Sequence, residues 1–314
     1  YGQGTYNTVV GVLSCVTNVK SGTAIGLQAY VTAQQSSAVG RSVVASGVYA
    51  SAFGNHSCAT ADCASAFGRK SCATSTYAST FGYNSCATGT KSTAVGYIAC
   101  AVSPNDVAMG FCALTSAYAG ATNKCPMHNI SIGSFTLACN GFCCDATTDY
   151  DLPSIAIGHR SCSTVCGGLT VGTCTQSTGM LSSSFGNWSC ATGGCSTAVG
   201  TRSCSTGTSS IAIGYHSCST YSQSIAIGNQ AKSIYSYATS IGMTACSTSS
   251  YAVALGYGAK GTGTQSIALG LFACTVGACS TALGRSAYAF GSKSTAVGQG
   301  GSCSTGLCSG SVGY

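Results

Sequence analysis

Charged side chains are scarce in this chain, and acidic ones most of all. Only 5% of the 314 residues are charged, against about 25% in typical soluble proteins. Glutamate is absent, and five aspartates face twelve lysines and arginines, which gives a formal net charge of +7. Without Glu the chain lacks a common acid–base side chain. No Ser-His-Asp order, carboxylate pair or phosphate-binding loop stands out, so the sequence predicts a protein that is not an enzyme.

Long apolar runs and dense basic patches are also missing. Gly, Ser or Thr interrupts every apolar run well before the roughly 18 residues of a membrane-spanning helix, although the mean hydropathy is +0.31. No membrane span is therefore expected in this chain. The basic residues stand singly except for Arg69-Lys70, whereas nucleic-acid-binding proteins carry basic patches or stripes. Nucleic acid is therefore not an expected partner.

Glycine, in contrast, is abundant and periodic. It ends a short phrase such as Ser-Ile-Ala-Ile-Gly, which occurs at 210–214 and again at 224–228. We call this residue the closing glycine. It recurs every fourteen residues in two runs, Gly26 to Gly110 and Gly158 to Gly298, with Gly11 and Gly313 at a spacing of fifteen and Gly133 alone between the runs. A fixed period of this kind indicates a solenoid.

The period also limits what each coil can contain. Fourteen residues are too few for two helices, but they hold two short strands and two tight turns, with β-branched residues in the strands and Gly where φ is positive. The prediction is an all-β protein, a parallel β-solenoid (β-roll) of 14-residue coils with one insertion. We expect coils in 1–110, a Cys-rich insertion with one irregular coil in 111–157, and further coils in 158–314.

Alternation along each strand predicts which residues share a face. The residue before the closing glycine is large and apolar, and the residue before that is Ala, Ser or Thr. We assign the large residues to the interior and the Ala/Ser column to an outer wall that neighbouring chains cover. The large residues are Ile25, Val39, Phe53, Phe67, Phe81, Val95, Met109, Ile157, Val199, Ile213, Ile227, Leu255 and Leu269. A threonine column six residues after the glycine, which includes Thr60 and Thr206, is in phase with that interior.

Twenty-three cysteines favour an oxidising, extracellular setting. Many occur four residues after the closing glycine, at what we call the cysteine column, and some have a second cysteine five residues further on. We predict disulfides within a coil for Cys58/Cys63, Cys190/Cys195, Cys274/Cys279 and Cys303/Cys308. Stacked pairs one coil apart, Cys72/Cys86 and Cys204/Cys218, are equally consistent with disulfides or with free thiols, because a ladder spacing of about 4.8 Å satisfies disulfide geometry.

The insertion contains the acidic sequence Cys-Cys-Asp-Ala-Thr-Thr-Asp-Tyr-Asp. Its carboxylates, Asp145, Asp149 and Asp151, form a candidate Ca²⁺ site, since calcium prefers clustered carboxylate oxygens. Their spacing does not match an EF-hand loop, so a solvated loop without a cofactor is the preferred interpretation.

Large and variable residues occupy the two positions after each closing glycine. If one turn of every coil lies on the same edge, these residues form a line that we call the binding stripe. Its members are His56, Arg69, Lys70, Tyr83, Tyr97, His159, Arg160, Trp188, Arg202, Tyr215 and His216. The stripe would suit weak, repeated contacts with glycans, matrix proteins or neighbouring subunits, although turns also tolerate most residues.

Phrases such as "SIAIGHRSCS", "STAVGTRSCS" and "SIAIGNQAKS" resemble the head repeat of trimeric autotransporter adhesins. The resemblance implies a left-handed parallel β-roll, packing of three rolls into a trimer, and a surface that binds host matrix proteins or cells. The cysteine columns depart from the bacterial pattern.

We therefore expect a non-enzymatic, disulfide-hardened extracellular fibre or adhesin head at a cell or virion surface. It would be a homo-oligomer, a trimer first and a filament second. The alternatives are a viral or phage fibre subunit and an ice-binding β-solenoid.

Overall fold

The computed structural model describes residues 4–17, 19–117, 128–140 and 152–313. The chain divides into two compact units, Tyr1–Gly167 and Gly168–Tyr314. Each unit is a parallel β-solenoid in which every coil contributes one strand to a first sheet and one strand to a second sheet. The predicted fold class is confirmed, and the described residues contain no helix.

In the first unit the longer strands form the first sheet: β1 (Thr8–Val10), β3 (Thr23–Leu27), β5 (Ser37–Arg41), β7 (Ser51–Asn55), β9 (Ser65–Phe67), β11 (Ser79–Phe81), β13 (Thr93–Val95), β15 (Val107–Met109), β17 (Ile130–Ser134) and β19 (Ile155–His159). The second sheet contains β2 (Cys15–Val16), β4 (Tyr30–Val31), β6 (Val44–Ala45), β8 (Cys58–Ala59), β10 (Cys72–Ala73), β12 (Cys86–Ala87), β14 (Cys100–Ala101), β16 (Leu114–Ala117), β18 (Leu137–Asn140) and β20 (Cys162–Ser163).

The second unit repeats this order. Its first sheet contains β21 (Leu169–Thr173), β23 (Ser183–Asn187), β25 (Thr197–Val199), β27 (Ile211–Ile213), β29 (Ile225–Ile227), β31 (Thr239–Ile241), β33 (Val253–Leu255), β35 (Ile267–Leu269), β37 (Thr281–Leu283), β39 (Thr295–Gly298) and β41 (Gly310–Gly313). Its second sheet contains β22 (Gln176–Ser177), β24 (Cys190–Ala191), β26 (Cys204–Ser205), β28 (Cys218–Ser219), β30 (Lys232–Ser233), β32 (Cys246–Ser247), β34 (Lys260–Gly261), β36 (Cys274–Thr275), β38 (Tyr288–Ala289) and β40 (Cys303–Ser304).

The register follows the sequence period. Ser65 pairs with Ser79 in the first sheet, and Cys72 pairs with Cys86 in the second. The ladder continues through the predicted insertion, where Met109 pairs with Ile132 and Ile132 with Ile157. The described strands of 111–157 therefore pair in register with the coils on either side, and residues 118–127 and 141–151 lie outside the described residues.

The interior is lined by alanine and serine, which corrects the sequence prediction. The column two residues before the closing glycine is fully buried, as at Ala52, Ala66 and Ala212, while the large residue that follows it points outward. The alternation correctly predicts that the large residues before the closing glycines share one face of the sheet, but that face is the outer one. A two-sheet coil of only fourteen residues leaves room between its sheets for small side chains alone, because interiors are close-packed.

Buried serine hydroxyls bond to each other across this narrow core. Ser219 donates to the Ser224 carbonyl oxygen at 2.8 Å, and the two hydroxyl oxygens are 2.6 Å apart. The threonine column, in contrast, is not an interior ladder. Thr60, Thr74 and Thr206 are exposed, and the Thr206 hydroxyl bonds to the carbonyl of Thr220 in the next coil at 3.1 Å. The prediction of buried threonines was wrong, because they follow the second-sheet strand into the turn.

Asp106 stabilises the point where the chain leaves its regular period. It is fully buried, and its carboxylate accepts backbone N–H bonds from Ser103 and Asn129, each at 2.9 Å. The Asp106 amide itself bonds to the Ser103 carbonyl at 3.3 Å, as the Ser92 amide does to Gly89 at 3.2 Å in a regular coil. The Asn129 side chain in turn accepts the Ser154 amide at 3.1 Å. Two side chains thus accept backbone amides at this position of successive coils.

Candidate functional site

The binding stripe lies on the turns that follow the first-sheet strands. The second residue of each turn has a left-handed backbone with φ near 55°, as at His56 (58°), Arg202 (56°) and His216 (52°). This conformation holds the side chain away from the coil, and backbone hydrogen bonds between coils align successive turns, for example His216 to Thr201 at 3.0 Å. Most stripe residues are exposed, Trp188 at 59%, whereas Tyr83 and His216 are half-buried.

In the first unit an aromatic stack forms part of the stripe. The Arg69 guanidinium lies over the Tyr83 ring at 5.4 Å, and Tyr83 stacks on Tyr97 with ring centroids 4.9 Å apart. The stack continues to Phe111 at 5.1 Å. Phe111 and Phe135, which lie 5.1 Å apart edge to face, were not in the predicted stripe. Phe111 directly follows Gly110, and Phe135 lies two residues after Gly133. These positions relative to the closing glycines could have identified both residues.

In the second unit three stripe residues, Arg202, Tyr215 and His216, form a polar group. The Tyr215 and His216 rings meet edge to face with centroids 4.3 Å apart. Arg202 Nη1 lies 3.3 Å from His216 Nε2. Tyr215, His216, Gln230 and Lys232 line a surface pocket of about 260 Å³. Lys232 was not part of the predicted stripe. It lies in the cysteine column of the second sheet, where it stands in place of a cysteine, and not in the turn after a closing glycine.

Large apolar side chains form a second surface, which we call the apolar wall. It consists of the residues directly before each closing glycine, which point outward from the first sheet. Within the first unit Phe53, Phe67 and Phe81 stack with ring centroids 4.9 and 5.0 Å apart, and Phe81 is 45% exposed. In the second unit the wall includes Ile213, Ile241 and Leu269, the last of which is 43% exposed.

The cysteine column lies on the outer face of the second sheet. Cys58, Cys72, Cys86 and Cys100 are consecutive in register, as are Cys190, Cys204 and Cys218. A thiol hydrogen bond between Cys58 and Cys72 raises the pKa of Cys58 and lowers the pKa of Cys72 to about 7. The same bond between Cys86 and Cys100 raises the pKa of Cys86 and lowers the pKa of Cys100 to about 7.

The predicted disulfides within a coil are not confirmed, because all eight cysteines of the four pairs are free thiols. They are Cys58, Cys63, Cys190, Cys195, Cys274, Cys279, Cys303 and Cys308. The second cysteine of each pair lies on a left-handed turn, with φ of 55° at Cys195 and 52° at Cys308, and both of these side chains are exposed. The turn position holds the second thiol away from the first. Cys279 Sγ accordingly bonds to Gln265 Oε1 at 3.4 Å in the preceding coil.

The stacked cysteines contact each other as thiols. Cys72 bonds to Cys58 rather than to Cys86, and Cys204 bonds to both of its neighbours, Cys190 and Cys218. The free-thiol alternative therefore describes Cys72/Cys86 and Cys204/Cys218 in this structure. Outside the columns, Cys166 is buried and disulfide-bonded.

No group of three or more metal-ligating side chains occurs among the described residues. The candidate Ca²⁺ residues Asp145, Asp149 and Asp151 lie outside them. The part of the chain that the structure describes likewise contains no helix long and apolar enough to cross a membrane.

Repeated coils, aligned turns and an outward apolar wall define the class of the molecule as a parallel β-roll repeat protein. The family model described as the YadA head domain repeat matches residues 20–42, 45–71, 73–99, 87–111, 191–217, 247–273 and 278–300. These segments together span more than half of the chain, which belongs to this family.

A solved structure, the collagen-binding domain of the Yersinia adhesin YadA, is similar at 21% sequence identity and a TM-score of 0.29. The match covers 57% of this chain and 81% of that chain. A search of curated proteins gave no match.

Proposed function

We propose that this chain is a non-enzymatic head segment of an extracellular adhesin or surface fibre, which assembles with copies of itself and binds through its turns. The family supports an adhesin-type structural role. The observation that carries the assembly is the apolar wall. The chain buries alanine and serine and turns Phe, Ile, Leu and Val outward in coil after coil, an arrangement typical of a surface that another protein surface covers.

A second copy of the chain is the occupant that we propose for the wall. The apolar wall contains no charged residue in either unit, so it can pack against another uncharged apolar face without burying a charge. The side chains repeat at the ladder spacing, so a parallel copy presents the same period. A trimer is the first expectation and a head-to-tail filament the second.

The test is the mass in solution, with and without a reducing agent. We expect three times the chain mass of 30.9 kDa. The variant Phe81→Lys/Leu269→Lys should be monomeric, because each lysine places a charge in a dry interface. It should still fold, because neither side chain is part of the alanine core.

Thr74→Lys/Thr264→Lys is the matched control, since both threonines are exposed outside the wall, and it should keep the parent mass. A monomeric parent would contradict the assembly. An equal loss of mass in both variants would show that the wall is not the interface.

We also propose that the cysteine column hardens the roll by oxidation between coils. The support is the direct contact of thiols in register, such as Cys58 with Cys72. Covalent links suit a coil whose own core contains little apolar surface.

A further inference from the structure

The pocket beside Tyr215 has an unusual electrostatic setting. No Asp or Glu occurs after Asp151 in the sequence, so the second unit contains no acidic side chain to pair with its five lysines and arginines. One of these cations, Lys232, lines the pocket with His216, and a second, Arg202, lies beside it with its Nη1 atom 3.3 Å from His216 Nε2. In folded proteins a cluster of basic groups without a carboxylate attracts anions.

The backbone fixes where these groups sit. Arg202, His216 and Gln230 occupy the same left-handed turn position in three successive coils, joined by N–H bonds from His216 to Thr201 at 3.0 Å and from Gln230 to Tyr215 at 2.7 Å. Lys232 belongs to strand β30, where Cys218 and Cys246 are its partners in register. From Arg202 to Lys232 the ladder advances two steps, or about 10 Å.

We propose that this pocket binds the acid group of an anionic saccharide, with a carboxylate or sulfate held by Arg202, His216 and Lys232. The Tyr215 ring and the Gln230 amide would contact the C–H groups and hydroxyls of the sugar. The inference deepens the proposed adhesive function and rests on it.

The form of the pocket favours a saccharide over other polyanions. A volume of about 260 Å³ suits one sugar ring with its acid group. A nucleic acid needs a dense basic patch or a continuous basic stripe for successive phosphates, whereas the five lysines and arginines of the second unit are spread singly from Arg202 to Lys293. A peptide that binds by strand addition needs an exposed sheet edge, and here β30 is paired on both sides.

Calorimetry on the full chain tests the site with four probes: an oligouronate, a sulfated oligosaccharide, a neutral oligosaccharide of equal length and an oligoglutamate. The variant Arg202→Gln/Lys232→Gln removes two charges at the pocket. Its matched control, Arg285→Gln/Lys293→Gln, removes two exposed charges elsewhere in the same unit.

We expect the parent to bind one or both acidic saccharides and not the neutral one. The pocket variant should lose affinity by about tenfold or more, as expected for the loss of charge-assisted hydrogen bonds, while the control stays within about twofold. Tighter uronate binding would identify a carboxylate ligand, and tighter binding of the sulfated probe a sulfate ligand.

Equal losses in both variants, tighter binding of oligoglutamate, or no saccharide binding by the parent would each overturn the proposal. The mass in solution is measured on the same samples. An oligomeric parent that binds no saccharide would refute the site but leave the proposed assembly intact, and a monomeric parent would refute the assembly itself.

Discussion

At the residue scale, the closing glycine is constrained in two independent ways. Gly214 has φ of 131°, which L-residues rarely adopt. A Cβ atom there would also lie 2.4 Å from the carbonyl oxygen of Gly228 in the next coil. Every ladder step along the roll thus brings two glycine backbones together.

We predict that Gly214→Ala lowers the free energy of unfolding by about 3 kcal/mol or more, since it combines backbone strain with an overlap that no side-chain rotation relieves. Chemical denaturation is the measurement. Gly194→Ala is the control, because the nearest atom to its Cβ would be 3.8 Å away. Similar stability losses in the two variants would contradict the explanation.

Asp106 gives a second prediction at this scale. Burial raises its pKa to about 6, although hydrogen bonds from the Ser103 and Asn129 amides oppose the rise. Because its pKa is higher folded than unfolded, the native state binds more protons between the two values, and stability falls as the pH rises through them. At about 1.4 kcal/mol per pKa unit, the loss between about pH 4 and about pH 7 reaches up to about 3 kcal/mol.

Thermal unfolding across that pH range measures this effect. Asp106→Asn should remove most of the decline in stability, because the amide does not titrate there. Asp62→Asn, at an exposed aspartate, should keep it. A decline of the same size in the Asp106→Asn variant would show that another group is responsible.

At the element scale, the second sheet determines which cysteines meet. Strands β8, β10, β12 and β14 place four thiols in line, and the thiols bond in two pairs. We expect the thiols whose pKa is lowered to about 7, Cys72 and Cys100, to be the attacking groups, because thiolates react with disulfides.

We predict that oxidised glutathione links Cys58 to Cys72 and Cys86 to Cys100. The Cys72 thiolate forms a mixed disulfide and releases one glutathione thiol, and Cys58 then displaces the second. Mapping of non-reduced peptides checks the pairs. A dominant Cys58–Cys63 link would contradict the prediction and restore the pairing within a coil.

Oxidation should stabilise the parent by up to about 3 kcal/mol for each loop closed. Cys72→Ser should lose part of this gain, whereas Cys63→Ser should keep it.

At the scale of the whole molecule, the sequence predicts the period, the parallel strands and the aligned turns. All three follow from the glycine spacing, as the register of Ser65 with Ser79 shows. It does not predict which face is inward. The alternation predicts that Phe67 shares a face with the equivalent residues of the other coils. It does not predict that Ala66 is the buried residue, because that depends on the short distance between the two sheets.

The candidate site was predicted in part for a similar reason. Arg202 and His216 occupy the same turn position in successive coils, and Tyr215 precedes His216 in its turn, so the repeat aligns the three residues. Lys232 comes from the other sheet, and only the coil geometry brings it to the same pocket. A lysine in a column of cysteines was a signal, but alone it does not say which side chains it meets.

The near-identity of the coils also affects how the chain reaches its native state. A strand that pairs fourteen residues too early or too late forms almost the same hydrogen bonds and buries almost the same alanines, so misaligned intermediates lie close in energy to the native alignment. Asp106 and Asn129 distinguish their coils from the others, because their side chains accept the Asn129 and Ser154 amides at a position where most coils have Ala or Ser. We therefore expect Asp106→Ala/Asn129→Ala to slow refolding of the chain by favouring misaligned pairings.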